Sequence, residues 1–137
     1  MKKAKADIPW KALKNAAVQA QKKAHAPYSK YPVGAALLAD DGTVFIGTNV
    51  ENASYPLSVC AERSAISAAV ASGKKKFRAI AIVSKGPKAA PPCGGCRQVL
   101  AEFAPSFEVR SYATTGDELR SSVRELLPFA FEASFFK

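Results

Sequence analysis

The residues of this sequence that are best suited to chemistry are three cysteines and one glutamate. Cys93 and Cys96 stand in a C-x-x-C pair within PPCGGCR, and Cys60 lies thirty-three residues before Cys93, in VCAER. Such a pair can form a disulfide, act as a redox dithiol or supply half of a metal site. The odd cysteine count argues against a secreted disulfide framework, which normally uses an even number of cysteines.

A metal site is the interpretation that uses all three thiols. We expect Cys60 and the C-x-x-C pair to lie at the starts of two helices, where the helix dipole and free N–H groups stabilise thiolates. Zinc prefers four ligands, but the chain has no fourth cysteine, and its single histidine, His25, falls in a loop bounded by prolines. Three protein ligands leave one position open to water, which is typical of a catalytic zinc.

Glu62 is the residue predicted to act on that water. It follows Cys60 by two positions on the same predicted helix, so its carboxylate can reach the outer coordination sphere without replacing a ligand. A carboxylate there can serve as general acid and base, although a first-turn glutamate can also simply complement the helix dipole. Three thiolates would leave the zinc centre negatively charged, and Arg63 is the preferred residue to withdraw that charge, with Arg97 as a second candidate.

The elements that must position these residues alternate between helices and strands. The patterns predict a helix from Pro9 to about Ala24, a hairpin around Asp41-Gly42, a helix over Cys60–Ser72, a strand FRAIAIVS, a helix over Gly94–Phe103, a strand FEVRSYA, a polar stretch and a short helical RELLP. This order predicts an α/β protein, a three-layer α/β/α sandwich with a mixed sheet. Both cysteine motifs follow strands, and in open α/β sheets chemistry gathers at the C-terminal ends of strands.

Length and composition favour one domain spanning residues 1–137. The hydrophobic fraction of 48% is that of a globular protein, and no apolar run approaches the roughly 20 residues that span a bilayer. The N-terminus has lysines but lacks the apolar core of a signal peptide, so we expect a cytoplasmic protein. The net charge of +9 comes from scattered clusters, which predict a solvated surface rather than a nucleic-acid interface: Lys2, Lys3 and Lys5; Lys22 and Lys23; and Lys74, Lys75 and Lys76.

The motifs of this chain resemble those of a known family. C-A-E at 60–62 followed by P-C-G-G-C at 92–96 is similar to the signature of the zinc-dependent cytidine deaminases. Four segments in order extend the resemblance to the small deaminases of free nucleosides, from about Trp10 to Phe131: YSKYPVGAAL, NVENASYPLSVCAERSAI, PPCGGCRQVL and ELLPFAF.

The resemblance implies a mixed sheet of about five strands and one zinc ion per chain, held by Cys60, Cys93 and Cys96. It implies the hydrolysis of cytidine and 2′-deoxycytidine to uridine and 2′-deoxyuridine plus ammonia, in pyrimidine salvage. Zinc-bound hydroxide would attack C4 of the base, while Glu62 carries protons to the ring N3 and to the departing amine.

The resemblance also assigns residues to the nucleoside. Asn49 and Glu51 match the residues that bind the ribose hydroxyls, although an asparagine there can also shape the turn after a strand. Tyr31 stands where the family usually has a phenylalanine that stacks on the base, and Ala61 would offer its backbone N–H to the base.

Tyr55 and Phe131 match aromatic residues that the family lends to the pocket of a neighbouring subunit. The resemblance therefore implies a homotetramer with shared pockets. Phenylalanines in the C-terminal tail can also be explained by core packing.

Two other functions remain open at this point. A deaminase of a cytosine nucleoside antibiotic, such as blasticidin S, would keep the zinc and the glutamate but differ around the ribose subsite. A zinc-containing RNA-binding module would account for the positive charge, but it would need a fourth ligand.

Overall fold

The computed structural model describes residues 7–103 and 107–137, so the cluster of Lys2, Lys3 and Lys5 lies outside the described residues. Its five strands are β1 (Gly34–Ala39), β2 (Val44–Thr48), β3 (Phe77–Ser84), β4 (Glu108–Ala113) and β5 (Glu118–Ser122). The α-helices in these ranges are α1 (Trp10–Gln21), α2 (Ala61–Ala71), α3 (Gly94–Phe103) and α4 (Val123–Leu126), and two short 3₁₀ helices cover Tyr55–Leu57 and Ala133–Phe136. Of the helices within the described ranges, none is both long and apolar enough to cross a membrane.

The strands form one sheet in the order β2-β1-β3-β4-β5. β1 is antiparallel to β2 and β3, β3 is parallel to β4, and β4 is antiparallel to β5, so the predicted mixed sheet is confirmed. The predicted hairpin also forms. Its turn contains Gly42, whose φ of 92° lies in the left-handed region that glycine adopts at no steric cost.

Strand β1 is covered on both faces, which is the reason all six of its residues are buried. Ala36 and Leu38 belong to a cluster with Leu13 of α1 on one side of the sheet. Ala35 and Leu37 belong to a second cluster, with residues of α2 and α3, on the other side. Because successive side chains of a strand point to opposite faces, this alternation builds the predicted three-layer α/β/α sandwich.

Strand β5 shows where the residue patterns were wrong and the family resemblance was right. The segment ELRSS reads as a polar stretch, since Leu119 is its one apolar residue. It nevertheless pairs along β4 and completes the five strands. An edge strand can be held by backbone hydrogen bonds to its neighbour even when few of its side chains are apolar. A smaller difference is that α1 ends at Gln21 rather than near Ala24.

Two glycines allow α1 and α2 to lie directly on the hairpin. A Cβ atom added at Gly34 would stand 2.0 Å from the carbonyl oxygen of Ala17, and one added at Gly47 would stand 2.3 Å from that of Ala61. The second contact fixes the first turn of α2. Since Cys60 immediately precedes that turn, close packing on β2 determines where this thiol lies.

Replacing Gly34 by alanine should therefore destabilise the protein by about 3 kcal/mol or more, because neither backbone can yield without moving a whole helix. Urea unfolding followed by circular dichroism would measure the change. Gly95→Ala is the matched control, since a Cβ there meets nothing within 4 Å. Equal free energies of unfolding for the two variants would show that α1 does not contact β1 closely at Gly34.

Candidate active site

The three cysteines meet where two helices begin. Cys60 is the N-cap of α2, Cys93 immediately precedes α3, and Cys96 lies in the first turn of α3. Their sulfur atoms all lie within 4.8 Å of one another, and all three are free thiols. The structure thus brings together two motifs that are distant in sequence.

The donor set fits a zinc ion. Tetrahedral zinc with Zn–S bonds of about 2.3 Å places its sulfur ligands about 3.8 Å apart. The observed spread allows that arrangement after small side-chain movements. Within the described ranges, this ligand cluster contains Cys60, Cys93 and Cys96. Three thiols leave one position of a tetrahedral ion for a further ligand.

The thiols already interact as a group. The thiolate of Cys60 accepts hydrogen bonds from Cys96 and Cys93, which lowers the pKa of Cys60 to about 6, and the charge of Arg63 contributes. The bond to Cys60, together with burial, raises the pKa of Cys96. A divalent cation that binds this cluster would displace the remaining thiol protons.

Glu62 lies beside this cluster, in the first turn of α2. Its side chain is buried, with 6% of the residue exposed. Burial raises the pKa of Glu62, and the neighbouring charge of Cys60 raises it further. A carboxyl group in such a place can hold a proton nearer to neutral pH than an exposed glutamate, as a general acid and base must.

Cys60 and Cys93 border a cavity of about 420 Å³. Its size falls in the range of small-molecule sites. The lining includes most of the residues that the sequence singled out: Tyr31, Asn49, Glu51, Cys60, Ala61, Glu62 and Cys93. The backbone N–H of Ala61 belongs to the first turn of α2, where N–H groups have no partner within the helix.

Asn49 fastens the loop that precedes β1. Its side-chain nitrogen donates to the carbonyl oxygen of Tyr31 at 2.9 Å, and its side-chain oxygen accepts from the backbone N–H of Val33 at 2.9 Å. Asn49 therefore has a structural role, although it differs from the one considered from the sequence, which was to shape the turn after its own strand. An amide oxygen and an NH₂ group each retain further hydrogen-bonding capacity, so the same side chain can also face a ligand.

Glu51 holds the next part of the same loop. One carboxylate oxygen accepts from the backbone N–H groups of Tyr28 at 2.9 Å and Ser29 at 3.1 Å, and the other accepts from the hydroxyl of Ser29. These hydrogen bonds, foremost that of the Ser29 hydroxyl, lower the pKa of Glu51. The carboxylate is therefore ionised at neutral pH.

Tyr55 and Phe131 lie away from this cavity within one chain. Tyr55 is 62% exposed, and its ring makes an edge contact with that of Tyr28 at 6.1 Å between centroids. Phe131 is 63% exposed and stacks on Phe135, with 5.7 Å between centroids. It lines a separate groove of about 590 Å³ beside α3 and α4.

Arg97 has a different role from the one considered in the sequence. Its guanidinium donates to the carbonyl oxygens of Pro92 at 2.8 Å and Leu126 at 2.9 Å. It thereby ties the segment before Cys93 to the end of α4. Arg63, by contrast, is exposed on α2 and acts on Cys60 through its charge.

Sequence reasoning missed two serines that line the cavity, Ser29 and Ser84. Ser84 ends β3, is 1% exposed, and its hydroxyl finds no hydrogen-bond partner within the described residues. The sequence did offer a signal for Ser84. It follows Ile82 by two positions in β3, so a small polar residue falls on the apolar face that packs against α2. Ser29 carried no such signal, since its partner Glu51 is distant in sequence.

The fold and site together define a class of protein, an α/β metalloprotein with three thiol ligands at converging helix N-termini. The family model described as "Cytidine and deoxycytidylate deaminase zinc-binding region" matches residues 10–109. The chain therefore belongs to this zinc-dependent deaminase family, and its thiol cluster fits one zinc ion per chain.

Individual relatives agree with the family. A cytidine deaminase of Halalkalibacterium halodurans is 48% identical over 119 residues, covering 85% of this chain and 89% of the relative. One from Sporosarcina psychrophila is 47% identical over 114 residues, covering 82% and 84%. The crystal structure of a cytidine deaminase from Burkholderia pseudomallei superposes with a TM-score of 0.87 at 48% identity, covering 90% of this chain and all of that one.

Replacing Cys93 by alanine should lower the bound zinc from one ion per chain to nearly none, because two thiols bind zinc far more weakly than three. Elemental analysis after gel filtration would measure the content. Glu62→Gln is the control, since it alters the neighbouring carboxyl and removes no thiol. A full zinc complement in the Cys93 variant would contradict its assignment as a ligand.

Proposed function

We propose that this protein catalyses the hydrolytic deamination of cytidine and 2′-deoxycytidine. The observation that carries the proposal is one cavity lined by Cys60, Cys93 and Glu62 together with Asn49 and Glu51, in a chain of the deaminase family. The reaction adds the oxygen of water to C4 of the base and releases the exocyclic amine as ammonia.

Cys60, Cys93 and Cys96 would hold the zinc ion, and Arg63 would offset part of their charge. Bound zinc supplies Lewis acidity, which lowers the pKa of the attacking water. Glu62 would take a proton from that water and deliver it to the ring N3. It would then take the proton of the hydroxyl formed at C4 and pass it to the departing amine. Its burial supports this role, because a raised pKa lets the carboxyl hold the proton between the two transfers.

The remaining lining residues would orient the nucleoside. Asn49 and Glu51 would bind the ribose hydroxyls, since an amide and a carboxylate offer the donors and acceptors that a sugar diol requires. Tyr31 would contribute its ring to the base, and the N–H of Ala61 would bind a polar atom of the base. The presence of both Asn49 and Glu51 favours cytidine over an antibiotic such as blasticidin S.

We propose that the active form is a homotetramer in which Tyr55 and Phe131 complete a neighbour's pocket. Support comes from the exposure of both rings and from a tail that leaves Phe129, Phe135 and Phe136 exposed. Large exposed apolar groups in one cluster typically mark an interface.

We also propose that residues 1–137 act as one catalytic domain in the cytoplasm, in pyrimidine salvage. The free thiols suit a reducing compartment.

Incubation of the zinc-loaded protein with cytidine or 2′-deoxycytidine should release ammonia, and cytosine and blasticidin S should react slowly or not at all. Glu62→Gln should lower kcat for cytidine by about 100- to 10,000-fold, because a proton carrier is lost. Ammonia release and the ultraviolet change from cytosine to uracil would be followed together.

Zinc content should remain at one ion per chain in Glu62→Gln, which separates loss of proton transfer from loss of metal. Substantial residual turnover would refute the role of Glu62. If the zinc-loaded parent protein reacted with blasticidin S and not with cytidine, the antibiotic deaminase would replace the present proposal.

The parent protein should have a mass near 58 kDa in light scattering, four copies of the 14.5 kDa chain. Phe131→Ala should lower kcat/KM by about tenfold, since an aromatic wall of the neighbouring pocket is lost. Ser134→Ala, in the same exposed tail, is the matched control.

Coexpression of Phe131→Ala with Glu62→Gln should restore partial activity, because mixed tetramers contain pockets with both native residues. A monomeric parent protein, or no restoration, would contradict the shared pocket.

A further inference from the structure

Ser29 makes more contacts with Glu51 than any role assigned so far requires. It lies in the loop between α1 and β1, at the edge of the cavity. Its hydroxyl donates to one oxygen of Glu51, and its backbone N–H donates to the other at 3.1 Å. The same hydroxyl accepts from the backbone N–H of Tyr31 at 3.0 Å. One serine thus connects the carboxylate to the segment that carries the aromatic ring.

The acceptor positions of Glu51 are almost fully used. A carboxylate offers about four lone-pair positions on its two oxygens. Two N–H groups, from Tyr28 and Ser29, occupy Oε1, and the Ser29 hydroxyl occupies one position on Oε2. The remaining lone-pair position is on Oε2. The Ser29 hydroxyl occupies the other position of that oxygen and so fixes the direction in which the free lone pair points. A ligand hydroxyl must therefore approach Glu51 along a line that Ser29 determines.

We propose that Ser29 is a positioning residue for the sugar, acting through Glu51 to make the site selective for nucleosides with ribose hydroxyls. This inference rests on the proposed function and assigns its sugar specificity to a residue outside the pair that contacts the sugar. Without the Ser29 hydroxyl, two backbone N–H groups would still hold Oε1, but Oε2 would be free to hydrogen-bond with water in other directions. The loss should thus fall on sugar recognition and not on the proton transfers of Glu62.

Kinetics of Ser29→Ala with cytidine should show kcat/KM reduced by about five- to tenfold, chiefly through KM, as expected for one charge-assisted hydrogen bond at an exposed site. With 2′,3′-dideoxycytidine, which lacks both hydroxyls, the same variant should differ from the parent by less than about twofold. Ser29→Thr retains a hydroxyl and should restore most of the affinity. Ser72→Ala is the matched control, because its hydroxyl donates to the carbonyl of Ala68 at the far end of α2.

A double-mutant cycle tests whether Ser29 acts through Glu51. In a Glu51→Gln background the further change Ser29→Ala should alter kcat/KM for cytidine by less than about twofold, because the carboxylate that Ser29 orients is gone. Independent, multiplying effects would overturn the proposal, as would an equal loss with 2′,3′-dideoxycytidine, which would indicate displacement of Tyr31 instead.

The two proposals fail in different ways. Turnover of cytidine by the parent protein, with Ser29→Ala unchanged, would overturn the role of Ser29 alone. Absence of turnover by the zinc-loaded parent would contradict the deaminase function, and the sugar specificity with it.

Discussion

Three sulfur atoms within 4.8 Å of one another are the constraint on which the rest of the site depends. Thiolates so close together repel each other unless protons or a cation lie between them. The proximity of Cys96 and Cys93 to Cys60 lowers the pKa of Cys60 to about 6, so this thiol gives up its proton more readily than an isolated one. The cluster also requires α2 and α3 to begin at the same edge of the sheet, and the mixed order of strands provides that edge.

The position of the cluster is set by small residues. Gly47 lets the backbone of α2 approach β2 at Ala61 and Ala65, so the N-terminus of the helix has little freedom. The two residues that flank Ala61 are a thiol and an acid, Cys60 and Glu62. The separation between this thiol and this acid thus follows from helix geometry once the contact is made. The positions of Cys60 and Glu62 therefore depend on a packing contact between groups that have no chemical role of their own.

Hydrogen bonds from polar side chains hold the loop that lines the cavity beside the thiols. Asn49 and Glu51 follow β2 and fasten the segment from Tyr28 to Val33 through hydrogen bonds. The residues proposed to bind the sugar are therefore also those that shape the cavity. Such dual use leaves few free acceptor positions, which is why a neighbour such as Ser29 can influence what the cavity recognises.

Sequence patterns were enough to predict three thiols as metal ligands, Glu62 as an acid beside them, and most of the helices and strands. The apolar run of β1, the Asp41-Gly42 turn and the alanine-rich run after Cys60 are local signals, because each depends on residues within a few positions of one another. The motif order also led to the family, since four segments in register carry far more information than one.

Which distant groups meet could be seen only in the folded chain. In the fold, Cys60 lies beside Cys93, and Glu51 accepts a hydrogen bond from Ser29. Arg97 donates to the carbonyl oxygens of Pro92 and Leu126. The polar segment of β5 pairs with β4. The periodicity of apolar residues predicts which side chains are buried. It does not predict a hydrogen bond between polar groups that are distant in sequence. Such contacts are specified by how the layers pack, and only the folded chain displays them.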